Sequence, residues 1–124
     1  MMTKGPRTAA EERLTNHQWV DQFPGKIEVC DVNGILVEMN DVAAAQEGGR
    51  SLIGTNILDC HPEPARSRLK ELLAAGRANV YTIEKQGKKK LVYQAPWYQD
   101  GQYAGLVELV LEIPEGMPHF VRAG

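Results

Sequence analysis

The sequence predicts an α+β domain in which a five-stranded antiparallel sheet carries helices on one face, with a further helix flanking it on the N-terminal side. Three observations predict it. Glycine turns at Asn33-Gly34, Gln86-Gly87 and Asp100-Gly101 each separate two runs of strand character, so the strands come as one hairpin and then three in succession. Over residues 103–113, Val107, Leu109, Leu111 and Ile113 alternate with Glu108 and Glu112, the period of a sheet with one buried and one wetter face. Ala65, Leu69, Leu72 and Leu73 recur at helical spacing, with Arg66, Arg68 and Lys70 on the other side. With 124 residues, 43% hydrophobic and 24% charged, the chain has material for one core and not two.

Each element has a local reason. Residues 8–22 are good helix formers carrying Leu14, Trp19 and Val20, and Phe23-Pro24-Gly25 stops them. Residues 26–31 give the first strand, and Asn33-Gly34 is expected to supply the positive φ angles of a tight turn into the second, 35–39. Asn40-Asp41 can cap a short alanine-rich helix at 42–47, whose end Gly48-Gly49 marks. Residues 51–60 hold isolated apolar residues around Gly54 and Asn56, the pattern of irregular or single-turn structure. The long helix is expected over 62–75, with Pro62 and Pro64 in its first turn, where a missing N–H costs little, and Gly76 just past its end. Strands follow at 79–84, 89–98 and 103–113. The division is an extension at 1–22, the domain at 23–113 and a tail at 114–124.

Composition excludes several function classes. Fourteen Lys and Arg against sixteen Asp and Glu give a net charge of −2, without the positive field that nucleic acid demands. Apolar stretches fall far short of the roughly 20 residues of a membrane span. Lys4, Arg7, Glu11 and Glu12 leave no apolar core for a secretory signal, so the expected location is cytoplasmic and Cys30 and Cys60 are expected as free thiols. His17, His61 and His119 lie too far apart for zinc spacing, and no metal site is expected. Gly48-Gly49-Arg50 lacks the spacing of a phosphate loop, and the lysines around Gly87 read as a solvated hairpin tip.

Three segments carry a family resemblance. Cys30-Asp31-Val32-Asn33-Gly34-Ile35-Leu36, followed by Glu38-Met39-Asn40, resembles the opening hairpin of PAS sensory domains, with its Asp-x-x-Gly turn and an Asn that starts the first short helix. Leu52-Ile53-Gly54-Thr55-Asn56-Ile57-Leu58 is similar to the PAS segment leading into the central helix, and residues 95–108 to the closing hairpin, with its Pro and two glycines. The match spans 23–113 and implies the sheet order 2-1-5-4-3, with a ligand cavity between sheet and helices. Cys60-His61-Pro62 further resembles a bacterial subgroup of these domains. One departure matters: many PAS domains close on an Asp-Ile-Thr triplet that hands the signal to a following helix, whereas Glu112-Ile113-Pro114-Glu115-Gly116 ends in breakers. The expectation is therefore a domain with no fused output, signalling through a partner in trans or a homodimer interface.

The resemblance implies a stand-alone sensory domain, not an enzyme, that binds a small molecule or a partner protein between sheet and helices. The candidate site residues are Asn56, Leu58, Cys60, His61, Leu69, Tyr93, Trp97 and Leu109: polar or polarizable groups near the central helix start, an apolar lining, and an aromatic wall on the later strands. Strand alternation puts Tyr93, Ala95 and Trp97 on one face and Gln94 and Tyr98 on the other, without saying which face meets the helices. Two alternatives stand beside this reading. Haem-binding members use a His of the central helix region as axial ligand, so His61 is the candidate for haem, and Cys60 or Cys30 for redox sensing. The other alternative is a ligand-free dimerisation or adaptor module with a packed interior. Adjacent Cys60 and His61 on extended backbone point apart, which argues against a nucleophile–base pair.

Overall fold

The computed structural model describes Pro6 and residues 17–124. The elements are α1 (Gln18–Asp21), β1 (Lys26–Asp31), β2 (Leu36–Met39), α2 (Asp41–Gln46), a 3₁₀ turn (Ile57–Cys60), α3 (Ala65–Ala75), β3 (Asn79–Lys85), β4 (Lys88–Gln99) and β5 (Gln102–Glu112). All five strands form one antiparallel sheet in the order β2-β1-β5-β4-β3. This is the expected fold. The helix expected over 8–22 is not continuous at its end: α1 is a four-residue turn that starts after His17, whose left-handed backbone (φ 58°) interrupts a helix there, and residues 8–16 lie outside the described residues.

Two local expectations are corrected. In the first hairpin, Gly34 alone takes a positive φ, 84°. The Asp31 carboxylate accepts from the N–H groups of Asn33 (2.9 Å) and Ile35 (3.0 Å), so an aspartate turn does the work expected of an Asn-Gly pair. The long helix begins at Ala65, after both prolines instead of around them, because a proline drives its preceding residue out of helical backbone and Pro64 so excludes Glu63. At its other end Gly76 adopts the left-handed conformation, φ 61°, and returns its N–H to the Leu72 carbonyl. The two later hairpins turn as expected, on Gln86-Gly87 and Asp100-Gly101, all four residues at positive φ.

Asn40 ties the N-terminal half together. Its side chain is buried and caps α2 by accepting from Ala43 N–H (3.2 Å); it also accepts from Ile27 N–H (3.0 Å) and donates to the carbonyls of Val20 (3.1 Å) and Gly25 (2.7 Å). One amide thus holds α1, the approach to β1, β1 itself and α2. The apolar core is small and in two parts. Cys30, Leu73 and Leu106 pack with Ile57, Leu58, Leu69 and Leu72; Leu36, Met39 and Ala43 pack with Ala44, Leu52 and Ile57.

Helix α3 is fastened to the sheet at its C-terminal end, by Leu73 against Cys30 and Leu106 and by the Tyr103 hydroxyl donating to the Leu73 carbonyl at 2.8 Å. Its first turns, Ala65 to Arg68, are exposed. The helix therefore stands off the sheet at its N-terminal end, and a space opens beneath it.

Candidate functional site

That space is a cavity of about 260 Å³ between the sheet, α2, the 3₁₀ turn and α3. Its apolar wall comes from Leu36, Leu52, Ile57, Leu69 and Leu106; Cys60 and His61 stand where the 3₁₀ turn leads toward α3, and Glu47 and Thr55 come from α2's end and the loop beyond it. The sheet contributes Lys26, Glu28, Gln94 and Glu108. A more open groove of about 530 Å³ adjoins it, between Pro64, Ala65, Arg68, Leu69 and Leu72 on the helix side and Asn79, Tyr81, Gln94 and Glu108 on the sheet.

The sheet residues form a connected polar row across four strands. Register pairs Glu28 with Glu108, Glu108 with Gln94 and Gln94 with Asn79, so all four share one face. The Lys26 ammonium bridges Glu28 (3.4 Å) and Glu108 (3.2 Å); Gln94 donates to Glu108 (2.8 Å) and accepts from Asn79 (2.9 Å). Burial opposes the Lys26 charge, but the two carboxylates outweigh it and hold the ammonium's pKa above its ordinary value. Burial raises the Glu28 carboxyl, an effect that Lys26 only partly offsets and that Glu108 reinforces.

The structure brings together some of the sequence-predicted residues and separates others. Cys60, His61 and Leu69 line the cavity. Leu58 packs in the core beside it, and Asn56 caps the 3₁₀ turn, accepting from Leu58 N–H at 2.9 Å and donating to the Asn33 carbonyl, a bracing role. Tyr93 and Leu109 pair with each other on the opposite face of the sheet, since their neighbours Gln94 and Glu108 face the cavity. Leu111 shares that outer row, and Trp97 does not line the cavity: its indole N–H donates to the Cys30 carbonyl at 3.0 Å. The expected buried face of β5 is thus the outer one, and Lys26, Glu28, Gln94 and Glu108 are the site residues that sequence reasoning missed. Alternation singled out both rows; the residues' polarity argued for the wrong one.

His61 donates from Nδ1 to the Ile57 carbonyl at 2.6 Å, which leaves Nε2 as the free lone pair of the neutral ring. That nitrogen is a suitable ligand atom, but the rest of the cavity does not fit haem. A macrocycle needs broad apolar walls, and here it would cover a charged row that no water then solvates. Both cysteines are free; Cys30 is buried, and burial pushes its thiol pKa up, away from the thiolate that redox chemistry uses. Cys60 is exposed. Among the described residues no cluster of His, Cys, Asp and Glu could hold a metal ion, and no helix is long and apolar enough to cross a membrane.

Solved structures share this architecture. A PAS domain of an HTR-like protein from Haloarcula marismortui superposes with a TM-score of 0.60 at 14% identity, over 84% of this chain and 99% of that one. The PAS domain of BvgS from Bordetella pertussis gives 0.62 at 16%, over 86% and 89%, and a sensory box histidine kinase from Vibrio cholerae gives 0.55 at 16%, over 84% and 93%. No family model matches the sequence, and no curated protein matches it. The fold is PAS-like, and at these identities the likeness speaks to fold alone.

Proposed function

We propose that this chain is a PAS-type sensory domain whose input is a small molecule bound in the cavity beneath α3. The carrying observation is the cavity itself: about 260 Å³, close to the lower end of the small-molecule range of roughly 300–1,000 Å³, with an apolar wall facing a few fixed polar groups. A packed adaptor module has no use for such a space, and a dry core would not hold a lysine and two glutamates beneath a helix. The long helix that roofs the cavity is anchored mainly at one end, so occupancy beneath its free end can be read out as a helix displacement.

A thermal-shift screen of small polar metabolites tests this reading, run in parallel on Leu52→Trp, which fills the cavity from its apolar wall. A ligand should raise the melting temperature of the parent and leave the variant unmoved. A screen without hits, or hits that the variant shares, would refute it.

The same proposal takes the signal out through a homodimer, in a cytoplasmic setting and with the Cys60-His61-Pro62 signature of the bacterial subgroup. Support comes from the outer sheet face, where Val80 and Tyr93 are 48% and 43% exposed. Light scattering should give twice the chain mass; the mass of a single chain would remove the dimer from the proposal.

A further inference from the structure

We propose that the cavity is built for a small ligand carrying a protonated amine on a short apolar body, an assignment that rests on the ligand-binding reading above. The hydrogen-bonding inventory of the walls points to it. Most of the donors are engaged within the protein: Lys26 contacts Glu28 and Glu108, the Gln94 amide donates to Glu108, and the Thr55 hydroxyl donates to the Leu52 carbonyl at 2.6 Å, which leaves one N–H of Lys26 and one of Gln94 over. The acceptors are engaged less fully. Glu108 has both carboxylate oxygens engaged, one by Gln94 and one by Lys26, whereas Glu28 commits only Oε1. No side-chain oxygen among the described residues is both buried and unpartnered, so Glu28 Oε2 is accessible to solvent, on a residue that lines the cavity. His61 Nε2 is a second free acceptor, and the Glu47 carboxylate a third.

Charge favours the same ligand. One ammonium faces the carboxylates of Glu28, Glu47 and Glu108 around the cavity, so an anion would meet net repulsion and Lys26 has no uncompensated charge to offer it. A cation placed near Glu28 instead relieves a carboxylate that burial disfavours. Leu36, Leu52 and Leu69 opposite supply room for a few methylenes and no polar partner.

Three probes of matched size separate the outcomes: pentylamine, pentanol and pentanoate, titrated into the full chain at neutral pH and followed by amide chemical shifts and calorimetry. Pentylamine should bind most tightly, shifting resonances of Leu52, Leu69 and Leu106, and Glu28→Gln should weaken it about ten- to a hundredfold while leaving pentanol unchanged, the range of a charge-assisted hydrogen bond. Glu47→Gln, which removes no hydrogen bond or ion pair of the Lys26 network and only a repulsion on Glu28, should weaken it by a smaller factor and guards against a fold defect in the first variant. Tighter binding of pentanol or pentanoate, or an amine affinity indifferent to both variants, would overturn the amine assignment and leave the cavity reading standing. No binding of any probe to a folded protein would count against both.

Discussion

Asn40→Ala should cost this domain about 4 kcal/mol, a large share of the 5–15 kcal/mol that holds a typical domain together. The buried amide makes four hydrogen bonds of 2.7 to 3.2 Å, to Ile27 N–H, Ala43 N–H, and the Val20 and Gly25 carbonyls, and a longer fifth contact to the Phe23 carbonyl (3.4 Å) that shares the same two amide protons and is not counted separately. At about 1 kcal/mol net for each bond the sum is about 4, and the α2 cap alone accounts for about 1 of it. Urea unfolding followed by tryptophan fluorescence measures the loss: with a slope of about 2 kcal/mol per molar, the midpoint should fall by about 2 M. Asn40→Asp decides the mechanism. An ordinary N-cap accepts Asp as readily as Asn, but here the second half of the amide must donate, and a carboxylate would face two carbonyl oxygens instead. Asp should therefore rescue little. A loss below about 1 kcal/mol for Ala, or full stability with Asp, would refute the idea that one amide joins α1, β1 and α2.

Further outcomes follow from the sheet and the cavity. Because the Glu28 carboxyl is raised in the fold, its contribution is fully present below the unfolded value near 4.5 and is lost as pH climbs through the raised one; urea midpoints taken from about pH 4 to about pH 7 should show a decline that Glu28→Gln flattens, and equal slopes would contradict it. Gly105→Ala should unfold the protein or cost at least about 3 kcal/mol, since its Cβ would collide with the Cys30 carbonyl oxygen at a φ of 149°, the very oxygen that Trp97 binds; a melting temperature unchanged in calorimetry would show that the strands yield. Haemin titration should give no sharp Soret band that depends on His61, so parent and His61→Ala spectra should coincide; a band lost in the variant would restore the haem reading.

The fold was legible because its punctuation is local. Gly34, Gly87 and Gly101 sit where a hairpin must reverse, Asn40 where a helix must be capped, and Gly76 where one must end, and each is decided by backbone sterics within a few residues. The joining of β1 to β5 was not local; it came from the resemblance, and the register of Lys26 to Asp31 against Val110 to Gly105 bears it out. The start of α3 was misread because two prolines near a helix start suit its first turn in general, while here the backbone around Pro64 places the first helical residue after both.

The site was legible only on its helical side. Cys60, His61 and Leu69 follow from where the central helix begins, but the sheet side turns on which of two alternating rows meets the helices, and strand period carries no sign. Hydrophobicity usually supplies the sign, apolar row inward. Here Lys26, Glu28, Gln94 and Glu108 face the helices, and Ile27, Val29, Tyr93, Val107, Leu109 and Leu111 form the other row. The inversion has a physical consequence on each face. A row of paired charges cannot be packed dry against leucines, so α3 closes on it only beyond the row, at Cys30 and Leu106, and leaves a polar-floored cavity where the charges lie. An apolar row turned outward stays partly in contact with water until another surface covers it, as Val80 and Tyr93 on that face do now. Cavity and outer face are thus two results of one choice of parity, and a variant that made the inner row apolar, Glu28→Leu with Glu108→Leu and Lys26→Met, should at once raise stability and abolish amine binding.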